Sequence, residues 1–343
     1  MKAVVVMLVR EEANERLSEI TSLCRTAGYD VIETFTQKGR ADRKYLIREG
    51  KVSEIKAFIE TSAADVVVFE NPLSSSQTLA LEDSFKAPVI DRFDLILNVF
   101  ELHAQSKEAK LQIELARLKR KMPYLKMYIS RKVRSEHPGF GGSGEFIIHS
   151  TLTSLHRRIK SIEKALSEFE RRTIMQRARR KKAGKMISIS GYTNVGKTSL
   201  FYALTGVKKP ARDELFTTLR TKTSSFTYNG TKYLINDTIG FIRNLPYQLI
   251  YAFKTTLMDI AGSDLILIVH DSSLEKEELL RRKEICEDVL MGIGAAKAMW
   301  LDVENKIDIG RRNLPGAVGV SASTGEGIEP LKKQIRRLLE DDR

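Results

Sequence analysis

The sequence predicts an α/β protein in three parts: a parallel α/β domain, an antiparallel helical hairpin, and a doubly wound domain built on a phosphate loop. Three observations carry this. Continuous β-branched runs alternate with helical spacing in the first part. A long apolar stripe follows in a strongly basic middle segment. Strand, glycine-rich loop and helix then occur in that order from Lys185.

The first domain is expected over residues 1–100. Ala3–Val9 is a β-branched run, and Asn14–Ala27 sets Leu17, Ile20 and Leu23 on one helical face before Gly28 ends it. Val31–Phe35 reads as the second strand, Val52–Ile59 as a helix, and Asp65–Glu70 (DVVVFE) as a buried strand. Pro88–Ile90 is a short strand, and a helix starts near Arg92. Gly50-Lys51 reads as a turn. The domain carries no phosphate loop, so a second nucleotide in its sheet crevice is the lesser expectation.

The hairpin is expected over residues 101–184. Leu111, Leu115, Leu118 and Met122 form a stripe that ends at Pro123. Leu152, Leu155, Ile159, Ile162, Leu166 and Phe169 step by three and four, as a coiled-coil seam does. Two such helices joined by a loop pack antiparallel most simply. The loop, residues 136–145, reads EHPGFGGSGE, and the second helix ends in the tract RARRKK from Arg177 to Lys182.

Charge sharpens this. The chain of 343 residues has a net charge of +13, but Lys107–Lys185 alone carries 22 Lys and Arg against 7 Glu. That segment is +15 and the remainder −2. A polyanion partner, RNA above all, fits better than a merely solvated face. Only Cys24 and Cys286 are present, without zinc-ligand spacing, which fits a reducing cytoplasm. The apolar start, MKAVVVMLVR, lacks a small-residue cleavage site and reads as a strand. No apolar run nears the ~20 residues of a membrane span, so no stable membrane insertion is expected.

The third domain is expected over residues 185–343. After the strand Met186–Ser190 comes Gly191-Tyr192-Thr193-Asn194-Val195-Gly196-Lys197-Thr198, matching G-x-x-x-x-G-K-[ST], and Ser199 continues into a helix. Glycines let successive N–H groups turn inward on phosphates, and the helix N-terminus adds positive dipole. Lys197 would neutralise β- and γ-oxygens, and Thr198 would ligate Mg²⁺. Asp237-Thr238-Ile239-Gly240 follows a further strand. Asp237 can hold Mg²⁺ through water, and the Gly240 N–H can meet the γ-phosphate. Asn305-Lys306-Ile307-Asp308 comes next. The Asp308 carboxylate can accept from guanine N1–H and the 2-amino group, a donor pair that adenine lacks. At Ser321-Ala322-Ser323 a main-chain N–H can read guanine O6. In this order, each at a strand's C-terminal end, the motifs predict a GTP-binding switch. Phe216-Thr217-Thr218-Leu219, with Arg220, is the first-switch candidate, and position alone leaves Thr217 and Thr218 equally eligible for Mg²⁺.

Over nearly its whole length the chain resembles the HflX-type GTPases of the translation-factor-related class. The resemblance rests on Asn71-Pro72, Pro88–Arg92, the Lys110–Lys119 run, Gly139–Glu145, Gly191–Thr198, Asp213–Leu219 (DELFTTL), Asp237–Arg243 (DTIGFIR) with Leu245-Pro246, and Ala252-Phe253-Lys254. It assigns the switch Mg²⁺ contact to Thr218. That makes Lys197, Thr218 and Gly240 the expected catalytic groups, and Thr198, Thr218 and Asp237 the expected metal contacts. It implies a ribosome partner, notably the large subunit and its rRNA, and for bacterial relatives subunit splitting or rescue under stress. The family loop G-x-G-x-x-G-P-G-E-T differs here, with Ser143 for Pro and Phe146 for Thr. The chain reads as a short form without the C-terminal extension of many bacterial members, and a monomer is expected. Phe241 stands where many regulatory GTPases place Gln, which predicts either slow intrinsic hydrolysis stimulated by a partner, or a Phe241 that merely packs while another side chain or backbone group positions the water. Two other readings stay open: action on another RNA in rRNA or tRNA maturation, and a GTP switch docking on a protein or membrane.

Overall fold

The computed structural model describes the backbone of residues 1–9, 13–136, 143–181, 184–207, 222–243 and 254–340. The chain divides into two compact units: Met1–Leu102 with Lys110–Ala165, and His103–Ala109 with Leu166–Arg343.

In the first unit β1 (Lys2–Val9), β2 (Asp30–Lys38), β3 (Val66–Phe69) and β4 (Val89–Asp91) make a wholly parallel sheet in the order β2-β1-β3-β4. β1 is central and is buried from Ala3 onward, as its unbroken apolar run demands. Helices α1 (Ala13–Thr26), α2 (Glu49–Ser62), α3 (Ser75–Phe85) and α4 (Arg92–His103) connect and follow the strands. Val4, Val6, Val67 and Phe69 meet Ile55, Ile59, Leu81 and Phe85 in the core. Gly50-Lys51 is not a free turn but lies in the first turn of α2, because the Arg48 carbonyl already accepts the N–H groups of Lys51 and Val52.

The charged residues after the strands hold the unit together. Asp91 accepts from the N–H groups of Phe93 and Asp94, capping α4, while its other oxygen takes the Leu73 N–H and Arg120. The Asn71 side chain bonds both the N–H and the carbonyl of Leu8. Glu70 is paired with Arg16, and Arg92 with Glu19 at 2.7 Å. Asn71 and Pro88–Arg92, which carry the family resemblance, are thus structural fastenings of the sheet edge.

Asp94 gives a measurable consequence. Burial, then the Asp91 carboxylate, push its pKa up to about 6. A raised carboxylate pKa stabilises the fold below the unfolded value near 4, and that gain is lost as pH rises through about 6. Asp94→Asn is therefore expected to match the wild type below pH ~4 and exceed its stability by about 1–2 kcal/mol above pH ~6. Urea unfolding at both pH values checks this.

Helix α5 (Lys107–Glu136) and helix α6 (Ser143–Lys181) are separated by six residues. Six residues reach ~21 Å at most, whereas a 30-residue helix is ~45 Å long, so the two run antiparallel. Ion pairs Glu114–Arg158 and Lys119–Glu163 join them. Ile113 and Leu115 are buried, as are Ile159 and Ile162 at the middle of the seam; Leu152, Leu155, Leu166 and Phe169 are half-buried. The expected stop at Pro123 is overturned: α5 continues through it to Glu136. Pro123 is exposed, as is Lys119, whose carbonyl loses its helical partner and can be met by water instead. The expected loop is also shorter than residues 136–145, since α6 begins at Ser143; residues 137–142 lie outside the described residues.

The second unit holds a six-stranded sheet in the order β10-β9-β8-β5-β7-β6. Its strands are β5 (Lys185–Gly191), β6 (Lys222–Tyr228), β7 (Thr231–Asp237), β8 (Leu265–Asp271), β9 (Met299–Asn305) and β10 (Val318–Gly319). Only β6 is antiparallel, joined to β7 through Asn229-Gly230, both at positive φ as a tight hairpin turn requires. Helices α7 (Lys197–Thr205), α8 (Lys254–Ala261), α9 (Lys276–Gly292) and α10 (Ile328–Glu340), with a short 3-10 turn at Ala295–Lys297, complete the described elements. The strand order reverses beside β5, so Gly191, Asp237, Asp271 and Asn305 end their strands on one edge at the switch point. Among the described residues no helix is long and apolar enough to cross a membrane.

Candidate functional site

β5 ends at Gly191 and α7 begins after Gly196, with the phosphate-loop residues between them. Gly191 has φ 144°, and a Cβ there would strike the Val269 carbonyl. Gly196 has φ 88°, and a Cβ there would strike the Asn305 side chain. Both positions therefore exclude larger residues. Lys197 is 7% exposed, and its Nζ donates to the Tyr192 carbonyl at 2.6 Å. Burial pushes its pKa down to about 8, opposed by the Asp237 carboxylate. The Thr198 hydroxyl donates to Asp237 Oδ2 at 2.9 Å. Gly240 lies against Lys197 and Thr193: a Cβ there would stand 2.7 Å from Lys197 Nζ and 3.0 Å from Thr193 Cα.

Phe241 is fully buried, so its ring packs in the core. Its main chain does more. Its N–H donates to the Gly191 carbonyl at 3.0 Å, and its carbonyl accepts from the Thr193 N–H at 2.7 Å.

On the base side, Asn305 Nδ2 donates to the Val195 carbonyl at 2.8 Å, and its Oδ1 accepts the Ala322 N–H at 3.0 Å. Asn305 therefore ties the phosphate loop to Ser321–Ser323. Lys306 has φ 65°, and its Nζ donates to the Asn194 carbonyl at 3.1 Å and to Asp271. Asp308 is exposed and Ser321 is buried. Because Ala322 already bonds Asn305, guanine O6 would have to share that N–H or take another.

The structure brings Gly191–Ser199, Asp237–Gly240, Asn305–Asp308 and Ser321–Ser323 to one sheet edge. Phe216, Thr217, Thr218, Leu219 and Arg220 lie outside the described residues. Sequence reasoning missed Asp271 and Ser272. Asp271 takes the Lys306 ammonium, and the Ser272 hydroxyl donates to the Asn305 carbonyl at 2.8 Å. Their signal was available: both follow the apolar run Leu265–Val269 at the strand end where ligands gather. Cys24 and Cys286 are buried free thiols, each pushed up to about 12 by burial. No group of three or more His, Cys, Asp or Glu suited to a metal occurs among the described residues.

Known proteins bear directly on this geometry. Residues 14–101 match the family described as GTP-binding GTPase N-terminal, 103–180 its middle region, and 186–306 the 50S ribosome-binding GTPase family. The GTPase HflX of Caldanaerobacter subterraneus is 36% identical over 98% of this chain and 80% of its own length. The chain belongs to the HflX family of GTPases. The HflX of Hyperthermus butylicus is 34% identical over 98% of the chain and 96% of its own length. A crystal structure of a GTP-binding protein from Sulfolobus solfataricus with GDP superposes with a TM-score of 0.53 at 27% identity, covering 98% of each chain. As an HflX-family GTPase the protein binds guanine nucleotide and hydrolyses GTP, and the α/β fold with its phosphate-loop domain is the one the sequence predicts.

Proposed function

We propose that this HflX-family GTPase acts in the cytoplasm on the ribosome, at the large subunit, with Mg²⁺ and GTP governing its association. One observation carries the partner: the hairpin's basic residues divide into two sets. Arg117, Lys119, Arg120 and Arg158 are tied to Glu101, Glu163, Asp91 and Glu114. Lys126, Arg157 and Lys160 are exposed and have no acidic partner among the described residues. Charges turned outward and unpaired attract a polyanion. The family match described as a 50S ribosome-binding GTPase supports rRNA as that polyanion.

At the nucleotide, the Gly191–Ser199 loop cradles the phosphates and Lys197 neutralises them. Asn305, Lys306 and Asp308 hold the guanine, with the Ser321–Ser323 main chain beside it. Thr198 and Asp237 offer hard oxygens that already meet across one hydrogen bond, a donor set suited to Mg²⁺. Thr218 would complete the metal contacts in the GTP state, and the Gly240 N–H would meet the γ-phosphate. The buried Phe241 ring leaves the attacking water without a side-chain amide, so a partner supplies the missing stimulation.

Sedimentation with purified large subunits, in a GTP analogue and in GDP, tests this reading. Binding is expected with the analogue, weakening steeply with salt. Changing Lys126, Arg157 and Lys160 to Gln should make the slope of log K against log salt shallower by about 2. Salt-independent binding, or none, overturns the reading; preference for free structured RNA over subunits redirects it to RNA maturation.

A further inference from the structure

We propose that Tyr192 is a positioning residue for GTP hydrolysis, acting by holding the Asp237–Arg243 segment against the phosphate loop. The phosphate-loop pattern leaves its second position open to any residue. Here that position carries a tyrosine whose side chain is 4% exposed and reaches the Asp237–Arg243 segment. Its hydroxyl accepts the main-chain N–H of Arg243 at 2.9 Å. Its backbone pairs with Phe241 as an isolated parallel bridge, through the Phe241–Gly191 and Thr193–Phe241 hydrogen bonds. Three main-chain and side-chain bonds thus fasten the residues directly after Gly240 to the loop.

A third element grips the same tyrosine. The Arg282 guanidinium of α9 lies 4.6 Å from the Tyr192 ring centroid. Arg282 also binds Glu278, a buried carboxylate that takes Arg243 at 3.5 Å as well. The loop, the Asp237–Arg243 segment and α9 therefore meet at Tyr192 and Glu278.

The consequence is chemical. Beyond Asp237, Thr238 donates to the Ile189 carbonyl, Arg243 pairs with Glu278 and Phe241 carries no polar group, so what the rest of this segment offers the reaction is main-chain geometry, with the Gly240 N–H as its donor on the reading proposed above. A donor already in place when charge develops costs no reorganisation, and this is the largest common source of rate enhancement. The Tyr192 hydroxyl fixes the chain three residues beyond Gly240, and the bridge fixes it one residue beyond. The tyrosine acts through the backbone and need not touch the nucleotide.

Tyr192→Phe removes one oxygen and keeps the ring under Arg282. Single-turnover hydrolysis by the full chain is expected to fall about tenfold, with the Kd for a fluorescent GDP analogue unchanged within about twofold. Arg282→Met keeps the volume, removes the cation, and should lower the rate in the same direction by a smaller factor. An unchanged rate in Tyr192→Phe overturns the proposal. So does a loss of GDP affinity parallel to the loss of rate, which would mark Tyr192 as mere support for the pocket. A faster rate overturns it too, since the bond would then be a restraint.

Discussion

Asp308→Asn should exchange the base preference of the protein, with GTP affinity falling about 10²–10³-fold and xanthosine triphosphate affinity rising above it. In the proposed site the carboxylate would offer two acceptors to guanine N1–H and the 2-amino group. An asparagine offers one acceptor and one donor, so its amide N–H opposes the 2-amino group while one guanine donor loses its partner. A hydrogen bond to a charged group is worth about 1.5–3 kcal/mol, and a guanine donor left unpaired in the bound complex adds a further cost. Together they amount to about two to three powers of ten. Xanthine carries a carbonyl where guanine carries the amine, and so accepts the new donor. Asp308 is exposed in the structure, and its neighbour Asn305 is held by Val195 and Ala322, so the substitution alters recognition without disturbing the frame. Competition of GTP, XTP and ATP against a fluorescent GDP analogue measures all three affinities. Equal loss for GTP and XTP would show that Asp308 does not read the base.

Lys197→Ala is expected to weaken GTP binding by about 10³-fold and leave no measurable hydrolysis. The ammonium is the buried positive charge of the phosphate loop, and a preformed charge in a site that excludes water acts far more strongly than one at a surface. A second measurement separates this from unfolding. Burial pushes the Lys197 pKa down to about 8, which means that the empty protein bears a cost for holding the charge. Alanine removes that cost along with the hydrogen bond to the Tyr192 carbonyl. The nucleotide-free variant should therefore melt no lower than the nucleotide-free wild type, while the stabilisation given by GDP disappears. A lowered melting point without nucleotide would make Lys197 a structural residue of the loop first.

The nucleotide motifs were legible in the sequence because each is short and chemically constrained. Gly191 and Gly196 must be glycine, since a Cβ at either strikes the Val269 carbonyl or the Asn305 side chain. Asp237 and Asn305 stand at strand ends, and the apolar runs before them are visible in one dimension. The parallel sheet of the first unit was legible for the same reason: a strand buried on both faces writes itself as Val4–Met7 does. Pro123 misled because proline is a local stop signal, whereas its cost depends on whether the freed carbonyl reaches water, which depends on what packs there.

By itself, then, the sequence determined that the protein is an α/β GTPase with a basic helical hairpin, since spacing, glycine and charge act over a few residues. Only the tertiary structure decided which of those residues meet. Tyr192 accepts from Arg243, Asn305 joins Val195 to Ala322, Lys306 settles on Asp271, and Asp91 serves a helix cap, Leu73 and Arg120 at once. Most of these partners lie tens of residues apart, and Asn305 and Val195 more than a hundred. No local periodicity encodes such a pairing, because it is set by the order of the strands that carry the two ends to one sheet edge.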